Sequence, residues 1–291
     1  MNPLFSIIVT TYNRPQLLKR AVDSIINQIN NEWEIIIVND GSDIAYTIDF
    51  ESINSNIRYY YKQNSGLPSS RNFGISKAKG NYICFLDDDD EYLPNHLLVL
   101  ANLIKEKPGA GLYRTLTKIS SSGKVTLQEF NYNADANTVQ NLFSCMLTVN
   151  NVCIPSEVFE QYRFDPSIPI AEDYDLWVRI ALRHNFVLAK EYTTIYYIGA
   201  GSMSFGDIKK YRLYTRIYSY LLSHPSISNF LDKEEINNIL FKYYKFSIYY
   251  SANLRNTTSV LSSCIKAFRF RKQYIFRKEP YVLILKSILK I

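Results

Sequence analysis

Through its first ninety or so residues the chain alternates short β-branched apolar runs with stretches of helical spacing, and each apolar run stops at polar residues. Phe5–Thr10 is apolar, and the turn-like Tyr12-Asn13-Arg14-Pro15 ends it. Leu17, Leu18, Ala21, Val22, Ile25 and Ile26 then recur at helical spacing, with Pro15 suited to the first turn and an end near Gln28. Glu34–Val38 reads as a second strand, Ile57–Tyr61 as a third, and Tyr82–Leu86 as a fourth. Ser69–Ala78 reads as a helix with Gly80 just beyond its end. Strands separated by helices or long crossovers predict an α/β fold with a mainly parallel sheet covered on both faces. In such sheets ligands bind beyond the carboxyl ends of the strands. Thr10-Thr11-Tyr12, Asn39-Asp40 and Asp87–Asp90 all fall at those ends.

Past Pro94 the pattern predicts a helix to about Lys107, then a hairpin of Ala110–Lys118 and Val125–Phe130 around Ser120–Gly123. The stretch from Leu112 to Asn151 carries no motif that assigns a ligand. A helix from about Ala171 places Leu176, Trp177, Ile180 and Ala181 on one face. Three helices follow by pattern: Ile208–Ser223, Lys233–Ser251 and Thr258–Lys278. Asp232 and Glu235 are spaced as a capping box. There is no internal repeat and no low-complexity linker.

Charge divides the 291 residues unevenly. Met1–Gly206 holds 17 Lys and Arg against 22 Asp and Glu, whereas Asp207–Ile291 holds 16 against 5. An acidic body with a basic tail implies two roles, so residues 1–206 are expected to form one domain and 207–291 a basic helical region. Met1–Leu4 has no basic leader segment, and no run reaches the roughly 18 apolar residues that span a bilayer. Cys84, Cys145, Cys153 and Cys264 show no CxxC pairing and read as buried free thiols of a reducing, cytoplasmic compartment.

Four groups of residues carry chemistry. Asp87-Asp88-Asp89-Asp90 follows a strand directly, and adjacent carboxylates repel unless solvent or a cation compensates them. Oxygen-only ligands suit Mg²⁺ or Mn²⁺ shared with phosphate oxygens. A solvated acidic turn is the alternative, and an EF-hand fails because Tyr92 and Leu98 replace its Gly and Glu. Asp40 is either a turn residue or an acceptor for a base or ribose. Arg71 is either a surface residue or a planar fork of donors for a diphosphate. Glu172-Asp173 either stabilises a helix N-terminus or supplies a general base.

Five stretches in this order resemble family 2 glycosyltransferases, which have the GT-A fold: FSIIVTTYNRP (Phe5–Pro15), EIIIVNDGS (Glu34–Ser42), QNSGLPSSRNFG (Gln63–Gly74), GNYICFLDDDDEYLP (Gly80–Pro94) and EDYDLWVR (Glu172–Arg179). The resemblance covers roughly the first 200 residues. It implies that Thr10, Tyr12, Asp40 and Arg71 hold a nucleotide, usually UDP, and that Asp87-Asp88-Asp89 is a DXD motif. By the same resemblance Asp88 reaches the ribose, Asp89 binds Mn²⁺ or Mg²⁺ with Asp87 in support, and Asp173 is the catalytic base. The reaction implied is inverting transfer of one hexose from a UDP-sugar (UDP-Glc, UDP-Gal or an N-acetyl form). Many relatives place a histidine before a Ser-x-Ser pair. Here Gly199-Ala200-Gly201 precedes Ser202-Met203-Ser204. Neither Trp33 nor Trp177 lies in the QxxRW motif of processive synthases, which favours single-sugar transfer.

The tail interleaves aromatic and basic residues, as in Phe268-Arg269-Phe270-Arg271-Lys272, and ends on apolar Pro280–Ile291. Basic amphipathic helices bind anionic membrane surfaces, here with Phe268, Phe270, Ile275 and Phe276 expected to insert. Packing on the body and nucleic-acid binding are the alternatives, the latter not expected. A peripheral position on the inner face of the cell membrane would suit a lipid-diphosphate-linked saccharide acceptor, as similar family members use in O-antigen or capsule synthesis. A sugar nucleotidyltransferase would need a glycine-rich phosphate loop, absent from Thr10–Pro15, and a dehydrogenase would need GxGxxG. A non-catalytic membrane or RNA adaptor on a degenerate fold is the remaining rival, and the intact Asp89 and Asp173 count against it.

Overall fold

The computed structural model describes residues 3–43, 46, 49–128, 133, 136–144, 147–168, 170–198 and 222–289. The chain divides into two compact units, one of Met1–Tyr132 with Cys145–Ser202, the other of Asn133–Ser144 with Met203–Ile291.

In the first unit the elements run β1 (Phe5–Thr11), α1 (Pro15–Ile26), β2 (Trp33–Asn39), α2 (Phe50–Ile53), β3 (Ile57–Tyr61), α3 (Leu67–Lys77) and β4 (Tyr82–Asp87). β3, β2, β1 and β4 lie side by side and parallel, with Thr10 of β1 opposite Asp87 of β4 and Thr11 opposite Asn39 of β2. β1 and β2 are buried along their whole length, which is why they read as unbroken apolar runs. Leu18, Ala21, Val22 and Ile25 of α1 join Phe5, Ile7 and Val9 in one core layer. On α3, a Cβ at Gly74 would stand 2.5 Å from Ile8 Cγ2, so the missing side chain lets this helix lie close on the sheet. Arg71 sits one turn earlier on the same helix.

The second half of the sheet was not legible as strands throughout. It comprises β5 (Glu91–Tyr92), β6 (Leu112–Ser121), β7 (Lys124–Leu127), β8 (Val152–Pro155) and β9 (Phe186–Ile198), with helices α4 (His96–Glu106), α6 (Val158–Gln161) and α7 (Glu172–Ala181). The sheet order is β3-β2-β1-β4-β8-β6-β9-β5, with β7 on β6. The β6–β7 hairpin turns on Ser122 and Gly123, both at positive φ, the backbone a two-residue loop requires. β8 is an apolar strand of only four residues, and β9 escapes the sequence because part of its buried face is hydroxyl rather than apolar. Thr115 and Thr117 of β6 bond the hydroxyls of Thr193 and Thr194 of β9 at 2.7 and 2.9 Å, so buried hydroxyl pairs replace the expected alternation.

The second unit contains α5 (Thr138–Ser144), α8 (Lys233–Asn253), α9 (Thr257–Phe270) and α10 (Lys278–Leu289). Asn133–Ser144, counted with the acidic body on charge, belongs to this unit. Asn137 Nδ2 donates to the Phe230 carbonyl at 2.8 Å, and Gln140 Nε2 to Glu235 at 2.5 Å. The capping box forms with Asp in place of Ser: Asp232 accepts from the Glu235 N–H, and Glu235 from the Asp232 N–H. The helix expected over Thr258–Lys278 ends at Phe270, and α10 starts anew at Lys278. Pro280 lacks an N–H and suits the first turn of a new helix, not the interior of a continuous one. Phe268 and Phe270, expected to insert into lipid, instead pack on this unit's core, Phe270 stacked on Tyr244. Most of Ile208–Ser223 lies outside the described residues, as do Gly199–Ser204 and Cys145. Cys84, Cys153 and Cys264 are free and buried. Among the described residues no helix is long and apolar enough to cross a membrane.

Candidate active site

The carboxyl ends of β1, β2 and β4 meet at the acidic run. Asp87 closes β4, and the Asp90 N–H bonds back to the Asp87 carbonyl at 3.1 Å, folding the four aspartates into one turn. Asp88 is buried; its Oδ2 accepts from the Thr11 hydroxyl at 2.7 Å and its Oδ1 from Arg14 at 3.3 Å. Burial pushes the Asp88 carboxyl up to about 7, against the pull of Thr11 and Arg14 and with added repulsion from Asp89 and Asp87. Asp89, paired with Arg14 at 3.1 Å, is also raised, first by burial and then by Asp87. Asp90 is raised well above the carboxylate range, chiefly by burial. Full ionisation of the turn is therefore disfavoured, first by burial and then by repulsion among its carboxylates.

That donor set fits a hard divalent cation. Asp87 and Asp89 keep 30 and 20% of their side chains exposed, and all their ligating atoms are oxygen. Among the described residues no three His, Cys, Asp or Glu side chains converge to hold a metal. The fit is thus to a cation shared with phosphate oxygens, not to one caged by protein alone.

Arg71 joins this turn to the start of α7. With 3% of its side chain exposed, it donates to Asp87 Oδ1 at 2.8 Å and Glu172 Oε1 at 2.5 Å, its guanidinium 5.4 Å from the Phe164 ring centre. Burial alone would weaken its proton affinity, but Asp87, Glu172 and Asp173 outweigh it and the net shift is upward. The Arg71 donors serve Asp87 and Glu172, beside the acidic turn where the diphosphate contact is expected. Asp173 follows Glu172 at the N-terminus of α7, half-buried, and its Oδ1 accepts from the Tyr174 N–H at 2.8 Å. Burial and then Glu172 push its carboxyl up to about 7, against Arg71 and that N–H. The helix N-terminus would lower it, so desolvation wins. Ala171, which precedes α7, holds φ at 59°, a left-handed conformation that costs an alanine about 1–2 kcal/mol. Such strain beside a carboxylate pair is typical of functional sites.

The remaining expected residues are placed as follows. Thr10 is buried in β1 and Tyr12 is 45% exposed just past it. Asp40 is buried, and its oxygens accept from Lys62 Nζ at 2.7 Å and from the Ser65 and Gly66 N–H groups at 3.0 and 2.9 Å. It orders the loop into α3 at the strand end where the bond to base or ribose is expected.

Sequence reasoning missed Thr11, Arg14 and Asn150. Thr11 and Arg14 lie within a matched stretch, beside residues that were chosen. Asn150 had no local signal. It is buried; its Oδ1 accepts from the Asp87 N–H at 2.8 Å and its Nδ2 donates to Asp90 Oδ2, so one amide holds both ends of the acidic turn. Asn150→Ala leaves the Asp87 N–H and one oxygen of the buried Asp90 carboxyl without this partner, each worth about 1–3 kcal/mol, while the other Asp90 oxygen keeps the Tyr197 N–H. The expected result is a lower melting temperature together with a higher Mn²⁺ concentration for half-maximal nucleotide binding, measured by calorimetry. Unchanged Mn²⁺ dependence would separate Asn150 from the site.

Parallel strands ending in an acidic turn define an α/β protein, and in such sheets ligands bind at the strand ends. The sequence profile of Glycosyl transferase family 2 matches residues 6–151, and the chain belongs to that family. It is 30% identical over 270 residues to WcaA of Escherichia coli K12, named for a glycosyl transferase role in colanic acid biosynthesis, covering 89% of this chain and 92% of WcaA. It spans only 33% of the length of an uncharacterized glycosyltransferase of Rickettsia bellii, to which it is 29% identical over 230 residues, 77% of this chain. The fold is GT-A. Staphylococcus aureus TarS 1–349 with UDP-GlcNAc superposes with a TM-score of 0.66 at 18% identity, over 98% of this chain and 88% of that one. A mannosyltransferase of Pyrobaculum calidifontis with GDP-Man and Mn²⁺ superposes with a TM-score of 0.63 at 13% identity, over 100% and 87%.

Proposed function

We propose that the protein is a metal-dependent, inverting glycosyltransferase that moves one hexose or N-acetylhexosamine from a UDP-sugar to an acceptor hydroxyl. One observation carries the reading: Arg71 bridges Asp87 of the acidic turn to Glu172, which brings a cation-ready carboxylate set to within one buried ion-pair network of Asp173. On this reading Asp89 and Asp87 hold Mn²⁺ or Mg²⁺, and Thr10, Tyr12, Asp40 and Asp88 hold the nucleoside. Asp40 acts by ordering the loop from Lys62 to Gly66, and Arg71 through Asp87 and Glu172. Bound there, the cation supplies charge for the departing diphosphate.

Asp173 does the proton chemistry. Its carboxylate takes the acceptor hydroxyl proton as the acceptor oxygen forms its bond to the anomeric carbon. The bond to the diphosphate oxygen breaks in line, and UDP leaves with the electron pair, so an α-linked donor yields a β-linked product. A carboxyl raised to about 7 is poised for this at neutral pH, and the Tyr174 N–H fixes its orientation. The likeness to WcaA supports an acceptor in surface-polysaccharide synthesis, which we take to be a lipid-diphosphate-linked saccharide of O-antigen or capsule type. The basic C-terminal helices would hold the enzyme on an anionic membrane face beside it.

The test is a donor screen by nucleoside diphosphate release, with UDP- and GDP-sugars and a lipid-diphosphate saccharide as acceptor. UDP release that depends on acceptor is expected. GDP release alone would move the donor class, and pyrophosphate release from UTP and a sugar phosphate would make the protein a nucleotidyltransferase instead.

A further inference from the structure

We propose that the outward face of α10, with Phe276 just before it, is the part of the chain that seats on an anionic lipid surface. This deepens the membrane placement above and is independent of the transfer chemistry. α10 carries apolar residues on both its inner and its outer face, with Lys278, Glu279 and Lys286 among them. Its inner stripe of Pro280, Leu283 and Ser287 is buried, Leu283 in the core with Tyr244, Ile248 and Tyr274. The opposite stripe is not covered. Tyr281, Val282, Leu285, Ile288 and Leu289 recur at helical spacing and are 47–61% exposed, and Phe276 is 87% exposed. A continuous apolar stripe of this kind on a surface marks an interaction site.

The surrounding charge selects the occupant. From Lys266 to Leu289 there are seven Lys and Arg, all exposed, against the one acid Glu279, which pairs with Lys245 at 3.2 Å. Lys278 and Lys286 lie on α10 itself, and Lys272 and Arg277 stand on either side of Phe276 in the chain. A second copy docked face to face about a two-fold axis would set these cations against their own equivalents. An anionic lipid surface complements them and accepts the apolar side chains at once. At 12 residues α10 is about 18 Å long, too short for a hydrocarbon core of about 30 Å, so it would lie in the plane of the surface.

The experiment uses the full chain with vesicles of phosphatidylcholine alone or with 30% phosphatidylserine, about the anionic content of a cytoplasmic leaflet, read by co-sedimentation. Binding to the anionic vesicles is expected, weakened by salt. The double variant Leu285→Glu/Ile288→Glu should reduce it more than tenfold, with the circular dichroism spectrum and UDP release to a soluble acceptor unchanged. Lys272→Gln/Lys278→Gln/Lys286→Gln should remove the preference for phosphatidylserine. A matched change on another exposed pair, Leu261→Glu/Ile265→Glu of α9, should leave binding intact. Loss with the α9 pair and not the α10 pair overturns the assignment of the face while the membrane placement stands. No wild-type binding overturns both. A concentration-dependent dimer that dissolves in the α10 variant, with no vesicle binding, would make the occupant a second copy and overturn the proposal.

Discussion

Replacing Asp173 by Asn is expected to slow sugar transfer by about 10² to 10⁴-fold, the usual contribution of a positioned general base, with donor affinity unchanged. Asn keeps the shape and the bond from the Tyr174 N–H but cannot take the acceptor proton. Because Asp173 must be ionised to act, the wild-type rate should rise with pH through about 7 and fall away below it. Asp88 titrates in the same range in the absence of cation, so the profile is measured at saturating Mn²⁺, which draws the acidic turn to lower pKa. The acid limb that remains should vanish in Asp173→Asn. If nucleotide affinity collapses along with the rate, Asp173 is a structural residue and another base must be found.

Asp89→Ala should abolish measurable transfer, and excess EDTA should silence the wild type until Mn²⁺ or Mg²⁺ is restored. A lost Lewis acid at the leaving group removes on the order of 4 kcal/mol of transition-state stabilisation, about a thousandfold in rate. Stability should move the other way. The raised pKa of Asp89 means that its charged form is disfavoured in the fold, so its removal relieves repulsion with Asp87. The variant without cation should melt at or above the wild type. The same sign applies to pH. Asp88 holds a proton up to about 7 in the folded chain, where an unfolded Asp releases it near about 3.9. Stability without cation should therefore fall as pH rises from about 4 to 7, and a divalent cation should restore it. Full activity in excess chelator would end the metal assignment.

The order of elements in the parallel half was legible because its signals are local. Pro15 at the start of α1, the apolar runs of β1 and β2 and the positive φ of Gly41 in the turn after β2 are all short-range properties. The mixed half was hidden where hydroxyl pairs and short antiparallel strands took the place of alternation, as at Thr117 and Thr194. In the tail, Pro280 suits the first turn of α10, but the break after Phe270, where Arg271 turns extended, carries no local signal that the longer helical pattern did not obscure.

For the site, the sequence by itself determined that carboxylates would stand at the ends of parallel strands, since strand, turn and acidic run are contiguous in the chain. What only the tertiary structure decided is how those carboxylates are held. Arg71 reaches Asp87 across 16 positions and Glu172 across 101, and Asn150 reaches Asp90 across 60. No local pattern encodes such pairs. They form because a guanidinium or amide buried by packing must find partners among whatever groups the fold brings beside it, and leaving it unpaired costs more than ordering it. The close packing of α3 on the sheet at Gly74 sets where Arg71, one turn earlier, meets them.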